Sequence, residues 1–179
     1  GAVYEPDINS TLLNYYQDTT LQKLIADVEE QYSDMEDVNQ DLTKAFTKAK
    51  KEIKNITIPT IYTQIGAFDQ SIIVGEQTIG ISLDKYLGAD YPLYQKYYHA
   101  NQRATMAREY ITPDCLFFYL MSLYPMKNAE NSSQQAKDMH TARLMYVTNQ
   151  LVGREAFNTN GVKTVEKYMK HHDKLTLNG

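Results

Sequence analysis

The sequence predicts an α+β domain in which helices pack on a small, mostly antiparallel sheet. Three observations predict it. Apolar residues recur at helical spacing before residue 54 and again after residue 92. Between those stretches the period changes to short β-branched runs punctuated by Pro and Gly. The 179 residues are 42% hydrophobic and 22% charged, which suits a chain that buries one core and argues against disorder. The chain thus reads as a single domain over residues 1–179, with N-terminal helices over 19–54, a small sheet over 56–83 and a helical part over 92–170.

Thr19 or Thr20 can cap a first helix, in which Leu21, Leu24, Ile25, Val28 and Tyr32 recur on one face. Val38, Leu42, Ala45, Phe46, Ala49 and Ile53 repeat the pattern. They form either a second helix or the continuation of one bent helix, interrupted near residues 33–37. Ile56, Ile58, Ile61, Tyr62 and Ile65 then read as a strand, and Pro59 restricts it to an edge or to a strand with a break. Residues 71–74 and 78–83 read as a hairpin turning at Gly75-Glu76-Gln77.

Residues 84–88 look like one helical turn ended by Gly88, and residues 91–110 are aromatic-rich and predicted helical after Pro92. Thr112-Pro113-Asp114 is a helix start with a cap, a proline in the first turn and an acid behind it. The helix it opens is apolar almost all round as far as Pro125, so it is predicted to be buried. A polar loop over 127–134, a long helix ended by Gly153 and a short helix over about 161–170 complete the chain.

Charge excludes some functions. The formal net charge is -4. The first 55 residues hold 11 acidic and 6 basic side chains, so the acidity is N-terminal. The only basic cluster, Lys48, Lys50, Lys51 and Lys54, sits at a helix end where cations complement the dipole, so no nucleic-acid partner is expected. No run of 18 apolar residues suggests a membrane-spanning helix. Gly1-Ala2 reads as a trimmed start, which leaves room for a removed signal.

Catalytic patterns are not visible. The four histidines, His99, His140, His171 and His172, include no pair four apart, so there is no HExxH helix. No G-x-S-x-G elbow occurs, and Gly75 to Gly80 is a turn with a strand glycine and not a phosphate loop. Cys115, the single cysteine, lies in an apolar run and reads as a small buried hydrophobe. No catalytic residue, metal ligand or cofactor is expected. The unusual feature is fifteen tyrosines without a tryptophan, eight of them between Tyr86 and Tyr124. Packing explains most of them. Tyr94, Tyr97 and Tyr98 are the candidate interaction surface.

One stretch carries a specific resemblance. Ile58-Pro59-Thr60-Ile61-Tyr62-Thr63-Gln64-Ile65-Gly66 is followed by Ser71-Ile72-Ile73-Val74-Gly75. Then come Gly80-Ile81-Ser82-Leu83-Asp84-Lys85-Tyr86-Leu87-Gly88 and Tyr91-Pro92-Leu93-Tyr94. This resembles the GldB-like gliding-motility-associated lipoproteins of Bacteroidetes, over about residues 10–152. The resemblance implies a cell-envelope location, as a periplasm-facing or surface outer-membrane lipoprotein. It implies membrane contact only through an N-terminal lipidated cysteine that Cys115 cannot be, and partners among envelope proteins of unknown identity. It also implies a distant similarity to HExxH zinc peptidases, hence a degenerate zincin-like fold. Residues 113–124 would then stand where the metal helix would be, without a histidine or glutamate, and Asp138, Met139, His140 and Thr141 stand where a further ligand would be wanted. The expectation is a pseudo-peptidase with an interaction or assembly role. The alternative is a metal-dependent hydrolase or peptidase with an atypical ligand set, His99, Asp114 and His140.

Overall fold

The computed structural model describes residues 18–66, 70–175 and 177. Helix α1 spans Asp18–Gln31 and α2 spans Glu36–Glu52. Thr19 and Thr20 therefore lie in the first turn of α1 and do not cap it. The chain turns between the two helices, so they are separate and not one bent helix. Each buries the stripe that its periodicity marks: Leu21, Leu24 and Val28 on α1; Val38, Leu42, Ala45, Phe46 and Ala49 on α2. Glu36 and Asp37 at the start of α2, and Lys50 and Lys51 at its end, complement the helix dipole.

Three strands follow, β1 (Thr60–Gln64), β2 (Ile72–Gly75) and β3 (Thr78–Ser82), in the spatial order β1-β3-β2. The hairpin is present: β2 and β3 are antiparallel, with Gln77 at φ 56 in the turn. However, β1 pairs with β3 in parallel, Ile61 opposite Ile79, so the sheet is mixed and the expectation of a mostly antiparallel one is corrected. The strands alternate in direction along the chain. Placing the third in the middle makes the first and third neighbours that point the same way. β1 lies at an edge immediately after Pro59, where a missing backbone donor costs no ladder bond. At the centre of the sheet the Tyr62 ring lies across Gly80. A Cβ there would come within 2.6 Å of Tyr62 Cζ.

A 3-10 turn at Leu83–Lys85 leads to two short helices, α3 (Pro92–Tyr97) and α4 (Ala100–Arg103), and to a second 3-10 turn at Arg108–Tyr110. The continuous helix expected over 91–110 is thus broken into pieces. Tyr98 and His99 adopt extended backbone. The Arg103 guanidinium fixes that break by donating to the carbonyls of Ala89 and Tyr98.

Helix α5 runs Ile111–Leu123. It starts one residue before Thr112, which is buried in its first turn and makes no capping bond. Pro113 is tolerated there because first-turn N–H groups lack intrahelical acceptors. Helix α6, Gln134–Val152, is capped by Ser133 Oγ and ends at Gly153 with φ 74. Helix α7, Asn160–Met169, is capped by Thr159 Oγ1 and meets α6 where Gly161 faces Ala142. α5 is central: it packs on β2 and β3 on one side and on α2 and α6 on the other. Ile111, Cys115, Leu116 and Leu120 on α5 and Leu144 on α6 are all 0% exposed. Full burial of a leucine contributes about 1.5–3 kcal/mol.

Candidate functional site

The segment from Ser82 to Gly88 carries the most specific sequence block. It places polar side chains where the flanking residues demand burial. Ile79, Ile81, Leu83 and Leu87 draw the chain inward, and Ser82, Asp84, Lys85 and Tyr86 go with them. Each of these polar groups then needs a partner. Asp84 Oδ1 accepts from the Gly66 N–H at 3.2 Å, and Ser82 Oγ accepts from Gln64 Nε2 at 3.2 Å. Lys85 Nζ donates to the Tyr98 hydroxyl at 2.6 Å and lies 5.0 Å from the centre of its ring. Burial raises the Asp84 carboxyl above the ordinary range, against the opposing pull of the Gly66 N–H and of Lys85.

Three tyrosines tie this segment to its surroundings. The Tyr94 hydroxyl donates to the Asp84 carbonyl and accepts from the Leu87 N–H at 3.1 Å. The Tyr32 hydroxyl, reaching from the end of α1, donates to the Tyr86 carbonyl. The Tyr86 hydroxyl donates to Asp114 Oδ2 at 2.7 Å in the first turn of α5. Burial pushes the Tyr32 phenol up to about 12 and raises those of Tyr86 and Tyr94 well above the ordinary range, so all three remain neutral donors. The Asp114 carboxyl is raised to about 6 by burial, with the Tyr86 hydrogen bond opposing.

From outside, Arg108 clasps the α1–α2 junction. It donates to the carbonyls of Gln31 and Asp34, each at 2.6 Å, pairs with both Asp37 oxygens and sits 4.7 Å above the Tyr32 ring. The guanidinium holds the Asp37 carboxyl down to about 2.

The residues singled out in the sequence fall in different places. Tyr94 is 2% exposed, its ring edge-on to those of Tyr91 and Tyr98. Tyr98 is half-buried against Lys85. Tyr97 alone of the three turns to solvent, at 53% exposure. Cys115 is buried, and burial pushes its thiol well up. His171 and His172 are exposed, and His172 stacks on Tyr168.

His99, Asp114 and His140 are not brought together. His99 precedes α4, Asp114 is in the first turn of α5, and His140 Nε2 meets the Tyr124 carbonyl at the far end of α5. Ten residues of helix separate those ends by about 15 Å. Among the described residues, no group of three or more His, Cys, Asp or Glu side chains is placed to hold a metal ion.

Asp84 and Lys85 stand in the quoted sequence block without a role assigned to them, and Arg108 was not singled out from the sequence. An adjacent acid–base pair inside the apolar stretch 79–88 is a usable signal for the first two. Arg108 had none, because its partners lie more than seventy residues away.

Fold and site together define a class: a small α+β domain whose most distinctive block is a tyrosine-tied internal knot. No helix among the described residues is long and apolar enough to cross a membrane. The model of the family described as gliding motility protein GldB, a lipoprotein family, matches residues 3–159, and the chain belongs to that family. No curated protein and no solved structure matches the chain.

Proposed function

We propose that the chain is a non-catalytic, lipid-anchored domain of the cell envelope, with an interaction or assembly role in gliding-motility-type machinery. The family supplies the link to motility and to a lipid anchor. The absence of catalysis is supported by α5. If the fold is a degenerate zincin-like one, α5 stands where a metal helix would be. Its inward positions are Ile111, Cys115, Leu116 and Leu120, all packed core, and its only acid, Asp114, accepts from a buried tyrosine. A helix that presented ligands to water would leave polar side chains facing a cleft. The α5 side chains that line a cleft, Tyr119, Ser122 and Leu123, include no histidine and no carboxylate.

The test is metal analysis of protein purified without chelator, together with hydrolysis of a general peptide library. The expected result is no stoichiometric zinc and no cleavage. One equivalent of tightly bound zinc, lost on replacing Asp114 or His140, would overturn the reading in favour of a peptidase.

A further inference from the structure

Among the described residues β1 keeps one edge unpaired, since its only strand neighbour is β3. The Thr60 N–H donates to the Gln77 carbonyl at 2.9 Å, and this sets the phase of the parallel ladder. Thr60, Tyr62 and Gln64 turn their backbone groups to β3, and Ile61 and Thr63 turn theirs outward. The edge carries none of the usual guards. Thr60–Gln64 holds no charge and no proline, and its register with β3 runs without a bulge.

Beside that edge runs a cleft of about 590 Å³ between β1 and α2. Its walls include Leu42, Phe46 and Ile61, and the lining Ile58 is 48% exposed. Eight of the seventeen residues of α2 are charged. Yet the exposed residues that α2 turns to the cleft, Asn39, Thr43 and Thr47, are neutral, and no residue lining it is charged. We propose that the free edge of β1 and this cleft join two copies of the chain, their β1 strands antiparallel about a two-fold axis at Tyr62.

The register follows from the phase of the ladder. An axis at Tyr62 sets Ile61 opposite the partner's Thr63, and Thr63 opposite the partner's Ile61. Both are then pairs that exchange two hydrogen bonds, so every outward backbone group of Ile61 and Thr63 is satisfied. The next outward position is Pro59, which has no N–H, so the ladder ends there. The same axis puts both α2 helices on one side of the joined sheet, with their neutral stripes flanking the join. A charged partner would bury its charge against this neutral lining, whereas a second copy brings none and opposes no like charges. Five paired residues span about 17 Å. An interface of that reach is small, so the dissociation constant is expected on the order of micromolar to tens of micromolar. The inference goes beyond the function proposed above and holds whether or not the domain is catalytic.

The experiment is sedimentation equilibrium of the whole chain from about 1 to about 500 µM, a range that brackets that constant, with amide hydrogen exchange at both ends of the range. A monomer–dimer equilibrium is expected. The Ile61 and Thr63 amides should gain protection as concentration rises, and those of Tyr62 and Gln64, already bonded to β3, should change far less. Thr63→Pro removes one outward donor per copy and no bond to β3, so it should weaken the dimer about 10-fold or more. Thr43→Glu sets like charges beside the join from an exposed helix position, and it carries the test if Thr63→Pro does not fold. A monomer at every concentration would overturn the proposal, as would a dimer that both substitutions leave intact, or one that forms without added protection at Ile61 and Thr63.

Discussion

The helical frame and the segment between β3 and α5 are held by different forces. In the frame, α2, α5 and α6 meet through Phe46, Ala49, Leu116, Leu120 and Leu144, contacts without direction whose strength follows buried area. In the segment from Leu83 to Tyr110 regular structure is short and the chain is positioned by directional bonds. Tyrosine hydroxyls reach backbone carbonyls, Lys85 reaches Tyr98, and Arg103 and Arg108 hold carbonyls across turns. A frame of the first kind tolerates substitution that keeps volume. A knot of the second kind tolerates little, because each bond has one geometry and a buried partner left unpaired is costly.

The largest effect is expected in the frame. Leu116→Ala should lower stability by about 2–5 kcal/mol, whereas Leu116→Met should cost under about 1.5 kcal/mol. Urea unfolding of both measures the ratio, and equal losses would remove the distinction drawn for the frame. Next comes the knot. Tyr94→Phe keeps the ring and removes the hydroxyl, leaving the Leu87 N–H without its acceptor, and should cost about 1–3 kcal/mol. A neutral outcome in the same assay would mean that the tyrosines act by volume, like the leucines.

The smallest effect is expected at Arg108→Ala, about 1 kcal/mol, because the ion pair is largely exposed and screened by salt. Its signature is in acid. The Asp37 carboxyl is depressed to about 2, so the stability it contributes is present above about pH 4 and is lost as pH falls toward 2. In Arg108→Ala the acid limb of the stability profile should flatten, and an unchanged limb would show that the clasp does not couple to folding.

The same division explains what was legible in the sequence. The stripes of α1 and α2, the stop at Gly153 and the edge position after Pro59 follow from local periodicity and backbone chemistry, and they stand in the fold where they were read. The parallel β1–β3 pairing was not legible. Its partners are separated by β2, and a parallel pair has no turn of its own to announce it. Thr112 misled because a 3-10 turn feeds directly into α5, a junction that no capping pattern encodes. The hydroxyl of Tyr94 bonds a backbone carbonyl, which every residue has, so nothing in the residue type at position 84 reveals it. The ring of Tyr94 was read as part of a surface for the same reason: tyrosine chemistry fits either environment.

The strand order carries a consequence for how the domain is made. β3 is central yet comes last, so neither β1 nor β2 has a ladder partner until residues 78–82 have emerged from the ribosome or crossed a membrane. Up to that moment two β-prone runs, Thr60–Gln64 and Ile72–Gly75, are unpaired and open to foreign strands. The passage of one five-residue strand ends that exposure on both sides at once.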